Sequence, residues 1–301
     1  MLSSRMNNKH YSKAVVIYQF EPGGFADVYL MKRKDCKELF VLKKIRKKLN
    51  CLQYFDKNAR KIKLRDIILK EFYTGAALNH KNIIKTIDYD ITHRSIVLEY
   101  FHGDDLFNIL SSETKKTKKY LFVYEQLLDA IQYMHHLGIA HMDVKLENIL
   151  VNVSSKTMKL IDFGQSCVFK IGNSKENIKY KDFKGTDTYI APEMCQNLEY
   201  DPEKIDIWCC GIVLYNIVYN KLPWMLADEE KDLNYNLFVR FYKAGFFNTS
   251  LFPSLNGAQL GYNTSESDII NTIFWYTLNP NPIHRLSIAK LKTRFDKLTL
   301  Y

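Results

Sequence analysis

Over the first hundred residues the apolar positions come in short runs. Val15 to Phe20 and Val28 to Met31 are β-branched or aromatic and flank Pro22-Gly23-Gly24, so they predict a hairpin. Leu39 to Ile45 predicts a third strand, and Ile83 to Tyr89 and Ser95 to Tyr100 two more. Between them Ile62, Leu64, Ile67, Ile68 and Phe72 recur at helical spacing within Ile62 to Leu78, while Lys47 to Arg60 reads as a linker or an extra helix. After His102 and Gly103 the period changes. Leu121, Tyr124, Leu127, Leu128, Ile131 and Met134 predict a helix over Leu121 to His136, and Ile205 to Tyr219 and Asp268 to Thr277 predict two further helices. The chain therefore reads as α+β, a strand-rich region with one helix followed by a mostly helical region. No fixed-period repeat is present, and the long breaks in pattern are Gln165 to Lys184 and Ala227 to Asn263.

A chain of 301 residues is long enough for two cores. The apolar stretch Cys209 to Tyr219 is interrupted by Asn216 and is far shorter than the ~20 residues that cross a bilayer. Met1 to Lys13 lacks the apolar core of a signal peptide, so neither a membrane span nor secretion is expected. The six cysteines form no CxxC pair, which fits reduced thiols in the cytoplasm or nucleus better than a disulfide frame or a zinc site. The net charge of +10 divides into +12 up to Leu98 and −2 beyond it. The densest basic run, Lys43 to Lys48, sits at a strand end without interleaved aromatics, which argues for a solvated face over a nucleic-acid surface.

The chemistry concentrates in His141-Met142-Asp143-Val144-Lys145-Leu146-Glu147-Asn148, followed nineteen residues after Asp143 by Asp162-Phe163-Gly164. Phosphoryl transfer needs an acceptor for the nucleophile's proton and cations on the phosphates, and this pair of motifs contains the groups for both. It resembles the catalytic and metal-binding loops of protein kinases. The resemblance implies a bilobal fold, with an N-lobe over about 14–98, a hinge over about 99–103 and a C-lobe over about 104–299. It implies Asp143 as the base, Asn148 and Asp162 as ligands of Mg2+, and ATP as the phosphoryl donor. Glu21-Pro22-Gly23-Gly24-Phe25-Ala26-Asp27-Val28 lies where kinases carry a glycine-rich loop, but Glu21 replaces the first glycine and Ala26 the third. Nucleotide binding is thereby assigned to Gly23, Gly24, Phe25, Ala26 and Val28. Lys43 matches the strand lysine that holds the α and β phosphates, with Lys44 turned to the surface by strand alternation. Glu71, before Leu78-Asn79-His80-Lys81-Asn82-Ile83, matches its helical partner; an insertion expected near Asn50 to Asn58 leaves the start of this helix open, and Gly75, where an apolar side chain is usual, is a departure that loosens it.

Val97-Leu98-Glu99-Tyr100-Phe101 resembles the hinge, with Leu98 at the gate and Glu99 and Phe101 beside the adenine. Asp105 falls where an acidic residue meets the ribose or a basic substrate. Gly185 to Glu193 resembles the substrate-docking segment, Asp206-Ile207-Trp208-Cys209-Cys210-Gly211 the buried helix that anchors the catalytic loop, and Arg285 the partner of Glu193. Lys145 and Thr186 match the residues that steady the transferred phosphate in Ser/Thr kinases, so Ser and Thr hydroxyls of proteins are the implied acceptors. Glu71 to His80, Asp162 to Ser166 and Glu199 to Trp208 are most similar to fungal kinases of the halotolerance and nitrogen-permease-reactivator group, which implies signalling through plasma-membrane transporters. The competing reading is a pseudokinase that binds partners without turnover; Lys43, Asp143, Asn148 and Asp162 are all in place, which opposes it. A basic sequence context in the substrate, a cytoplasmic monomer and no nucleic-acid partner complete the expectation.

One further departure bears on control. Many kinases carry an arginine beside the catalytic aspartate that pairs with a phosphate on the activation segment; here that residue is Met142. Asp182 stands near the usual phosphorylation position, with Lys179, Lys181 or Lys184 as its expected partner.

Overall fold

The computed structural model describes residues 13–21, 25–46, 64–113, 118–172, 174, 176–181, 187–245 and 264–298. Gly23, Gly24, Asp182, Lys184, Gly185, Thr186 and the expected insertion at 50–58 lie outside the described residues. The chain divides into two compact units, Met1–His102 and Gly103–Tyr301.

The first unit is one antiparallel sheet and a helix. Its strands are β1 (Ala14–Gln19), β2 (Ala26–Arg33), β3 (Leu39–Ile45), β4 (Thr86–Asp90) and β5 (Ser95–Glu99), in the order β1-β2-β3-β5-β4. Helix α1 (Leu64–Ala77) buries Ile68, Glu71 and Gly75, which share one face at helical spacing. Ile68 joins Ala26, Ile45 and Ile96 in the core, with Phe72, Tyr89 and Leu98 against them. The helix runs unbroken through Gly75. Strand β4 starts at Thr86 and not at Ile83, because the Ile83 amide bonds back to the His80 carbonyl and Ile83 and Ile84 fill the core from a turn. The predicted first strand is present, yet Val15 to Gln19 are all exposed; β1 is the sheet edge and bulges between Val16 and Tyr18.

The second unit is mostly helical. After β6 (Asp104–Asp105) come α2 (Leu106–Ser112), α3 (Leu121–His136), β7 (Ile139–Ala140), β8 (Ile149–Asn152), β9 (Thr157–Leu160) and β10 (Cys167–Val168). Helices α4 (Pro192–Cys195), α5 (Pro202–Tyr219), α6 (Leu233–Lys243), α7 (Thr264–Thr277) and α8 (Ile288–Asp296) follow. Short sheets pair β6 with β8 and β8 with β9, and β7 with β10. Every residue of α5 from Ile205 to Tyr219 is buried, so this helix has no polar stripe and forms the axis of the unit. It begins three residues before the apolar pattern because Asp201 caps the Glu203 amide and Pro202 takes the first helical position. Its last turn closes on Asn220 in the left-handed conformation at φ 49°. Helix α7 likewise starts early, at Thr264, with a polar first turn in which the buried Glu266 pairs with Lys118. Gly138 joins α3 to β7 at φ 73°; a Cβ there would lie 2.2 Å from the Lys170 carbonyl oxygen, so no other residue fits that turn unchanged.

Candidate active site

In the first unit, strand register decides which side chains share a face. Val28 pairs with Lys43 and Lys43 with Ile96, while Leu30 pairs with Val41 and Val41 with Leu98. These two rows are two residues apart, so Val28, Val41, Lys43 and Leu98 line one face, together with Ala26 opposite Ile45. Lys44, one residue on, points to the other face and is half-buried. The Lys43 ammonium lies 2.7 Å from Glu71 Oε1, both side chains being 12% and 8% exposed. At that burial the pair is held by proximity and desolvation together, and losing either partner strands the other's charge. Glu99 accepts the Lys85 amide through its carboxylate at 2.8 Å, and its own amide bonds to the Lys85 carbonyl. Phe101 is half-buried and Phe25 is exposed. Val41 is a face-lining residue missed in the sequence; its place two residues before Lys43 on the same strand was the available signal.

In the second unit the loop between β7 and β8 is built around Asp206 of α5. Asp206 has no exposure, and its Oδ2 accepts from the His141 amide and from His135 Nε2, and its Oδ1 from the Met142 amide, each at 2.8 Å. Those bonds hold Met142 at φ 67°, a left-handed conformation that a side chain of this kind adopts only when its surroundings impose it. Asp143 follows, half-buried. Lys145 Nζ donates to its Oδ2 at 2.8 Å, and Asn148 Nδ2 donates to the same oxygen at 2.9 Å and to the Asp143 carbonyl at 2.8 Å. Asn148 thus turns its amide nitrogen toward Asp143 and keeps a carbonyl oxygen as its donor to any cation.

Asp162 is delivered next to Asn148 by the β8–β9 hairpin. Ile149 pairs with Leu160, and the Ile161 amide bonds the Asn148 carbonyl at 3.0 Å. Asp162 sits at φ 66° with its Oδ1 accepting the Gly164 amide at 3.2 Å. His141 ties the two loops, its Nε2 lying 3.0 Å from the Ile161 carbonyl and its ring edge-on to the buried Phe163. Asn148 and Asp162 offer hard oxygens, one amide and one carboxylate, which is the donor set Mg2+ accepts when phosphates complete its shell. Among the described residues no cluster of three His, Cys, Asp or Glu side chains is spaced to hold a metal, and no disulfide joins the described cysteines.

Asp105 caps α2, accepting the Asn108 amide at 2.8 Å on Oδ1 and the Asn108 side-chain amide at 2.9 Å on Oδ2. Burial raises its carboxyl above the usual aspartate range, and the negative charges of Asp104 and Glu147 raise it further. The docking segment enters at the 3-10 turn Asp187–Tyr189, where the Tyr189 hydroxyl accepts the Leu146 amide at 3.3 Å. Beyond it Arg285 meets Glu193 through two bonds of 2.7 Å and lies over the Trp208 ring at 4.8 Å. That bidentate, buried geometry makes the pair a clamp on the docking segment. Lys179 pairs with Asp201 at 3.0 Å.

The family model of the protein kinase domain matches residues 19–294. The chain belongs to the protein kinase family. Curated relatives place this kinase among the serine/threonine enzymes. It is 33% identical over 218 residues to the nitrogen permease reactivator protein of Saccharomyces cerevisiae, covering 72% of this chain and 26% of that protein. It is 34% identical over 247 residues to the probable serine/threonine-protein kinase HAL5-like of Vanderwaltozyma polyspora, covering 74% of this chain and 31% of that one. With the serine/threonine-protein kinase oca2 of Schizosaccharomyces pombe the identity is 32%, over 67% of this chain and 30% of the relative. The kinase chain therefore spans about a quarter to a third of the length of these relatives. No described helix is long and apolar enough to cross a membrane.

Proposed function

We propose that the chain transfers the γ-phosphoryl group of Mg-ATP to serine and threonine hydroxyls of protein substrates. The observation that carries this reading is the cluster of Asp143, Lys145 and Asn148, hung from the buried Asp206 and placed beside Asp162. Asp143 accepts the proton of the attacking hydroxyl, whose oxygen bonds the γ-phosphorus as the bond to the β–γ bridging oxygen breaks and ADP departs. Lys145, already at Asp143, steadies the transferred group, and Thr186 assists from the docking segment. Asn148 and Asp162 hold Mg2+, which supplies positive charge to the phosphates. Lys43, fixed by Glu71, holds the α and β phosphates. Ala26, Val28 and Leu98 line the nucleotide face, with Gly23, Gly24 and Phe25 contributing the loop and Glu99 and Phe101 the adenine contacts.

Asp104, Asp105 and Glu147 concentrate negative charge, which adds to the larger effect of burial in raising the Asp105 carboxyl. That charge favours substrates with basic residues near the acceptor, so Asp105 serves as helix cap and as part of this field. The name of the yeast relative, nitrogen permease reactivator, supports a role in transporter regulation. The test is transfer from labelled ATP to generic protein substrates by the purified chain, with Asp162→Asn as control and phosphoamino-acid analysis of the product. Label on serine or threonine that disappears in the control supports the reading; wild-type protein without transfer in the presence of Mg2+ overturns it.

A further inference from the structure

The segment after Asp162-Phe163-Gly164 is tied to the start of α5 by contacts that involve no phosphate. Asn177 Nδ2 lies 3.1 and 3.0 Å from the two oxygens of Asp201 and 3.2 Å from Glu203 Oε2. Lys179 Nζ adds its ion pair to Asp201 Oδ2. Two carboxylates thus converge on one neutral amide, and each needs a donor between them to offset their mutual repulsion. The backbone reinforces the tie. The Tyr180 and Tyr200 amides donate to each other's carbonyls at 3.0 and 2.9 Å, and the Ile178 amide donates to the Phe169 carbonyl at 2.7 Å. The Tyr180 hydroxyl donates to the Val168 carbonyl at 2.9 Å, so residues 178–180 run between Val168-Phe169 and Tyr200.

Asp201 is also the cap of α5, and the same helix carries Asp206 a turn and a half later, from which the Asp143 loop hangs. On the other side of the loop Met142 is buried and apolar, so it gives the segment no cation that would reward an added phosphate. Lys179, a cation within the segment, is already engaged. We propose that Asn177 is a positioning residue: with Lys179 it ties this segment to the Asp201–Glu203 turn and sets it for transfer without a phosphate group. The proposal rests on the kinase reading, and its test separates the two.

Asn177→Asp places a third carboxylate against Asp201 and Glu203 in nearly the same volume. The exchanged pair Asn177→Asp/Asp201→Asn returns an amide to the contact and keeps a good helix cap, since asparagine caps as well as aspartate. The experiment measures kcat and the KM values for peptide and ATP, with hydrogen exchange at the Ile178 and Tyr180 amides, on full chains freed of phosphate and checked by mass spectrometry. The expected result is a wild-type rate that changes less than about twofold on dephosphorylation. Asn177→Asp raises the peptide KM and lowers kcat, reducing kcat/KM about tenfold or more with the ATP KM unchanged, and both amides lose protection. The exchanged pair recovers most of the rate and of the protection. Wild-type kinetics and protection in Asn177→Asp overturn the proposal. So does a loss confined to the active fraction with both KM values intact, or a fall of more than about tenfold when wild type is dephosphorylated. If wild type transfers no phosphate at all, the kinase reading fails, and equal amide protection in wild type and Asn177→Asp overturns the tie independently.

Discussion

In Gly103–Tyr301 the loop that carries Asp143 hangs from a carboxylate with no exposure, through two backbone amides and a histidine. In Met1–His102 Lys43 is fixed by an ion pair, on a strand two places from an exposed sheet edge. The first arrangement is over-determined, since moving the loop breaks several buried hydrogen bonds at once. The second joins a strand residue to a helix residue through an ion pair of 2.7 Å. On the proposed reading, transfer geometry is preset around Asp143, while the phosphate grip proposed for Lys43 depends on where α1 places Glu71.

The comparison is tested most severely at its centre. Asp143→Ala removes the proposed proton acceptor and is expected to lower kcat by about 10²–10⁴-fold while the fold is kept, because the loop stays bonded to Asp206 through the His141 and Met142 amides. A variant with nearly wild-type turnover returns the base assignment to zero. Asp206→Ala strikes the anchor itself, leaving the His141 and Met142 amides without their acceptor. A loss of about 3–5 kcal/mol in denaturant unfolding is expected, together with lost activity. Unchanged stability would show that the loop is not held from α5.

Glu71→Gln probes the ion pair in the first unit. It leaves Lys43 with a neutral partner, so the ATP KM should rise about tenfold while unfolding of the second unit stays where it was. An equal fall in the stability of both units would erase the contrast drawn above. The smallest effect is expected at Asp105. Its carboxyl is raised, so the folded protein holds a proton that the unfolded chain has released, and stability declines as pH rises from the usual aspartate value through the raised one. Asp105→Asn keeps the cap and should flatten that decline in melting temperatures taken across pH 4 to 6. A slope identical to wild type would place the titration elsewhere.

Much of the second unit was legible in the amino-acid order. The limits of α3 follow from its apolar period alone, and Asp206, Glu193 and Arg285 sit where the motif spacing puts an anchor and a clamp. What escaped was decided by partners far away in sequence. Nothing around Val15 to Tyr18 announces an edge strand with both faces exposed, because an apolar run reads the same whether it is covered or not. Asp105 was read for its charge, although Asn108 three residues on marks it as a cap. Lys179 was one of three lysines offered to Asp182, which lies outside the described residues; its pairing with Asp201, brought up by the Tyr180–Tyr200 bridge, had no local signal. His135 carried only the weak signal of a polar residue at a helix end, and its role depends on Asp206, 71 residues later. Lys43, Glu71, Asn148 and Asp162 were singled out through motif order, and the structure brings Lys43 to Glu71 and Asn148 to Asp143.

The burial of Asp206 also constrains the order in which the chain folds. Its carboxylate is satisfied only when the end of α3 and the backbone of His141 and Met142, 64 to 71 residues upstream, have arrived. Until then, packing α5 into an apolar core would sequester a charge with no donors, at a cost of several kcal/mol. The central helix therefore cannot finish its burial ahead of the loop it supports, and intermediates with one but not the other are poorly populated. Asp206 thereby couples late assembly steps into a single cooperative one, so a chain that has completed its core has also completed the loop that carries Asp143.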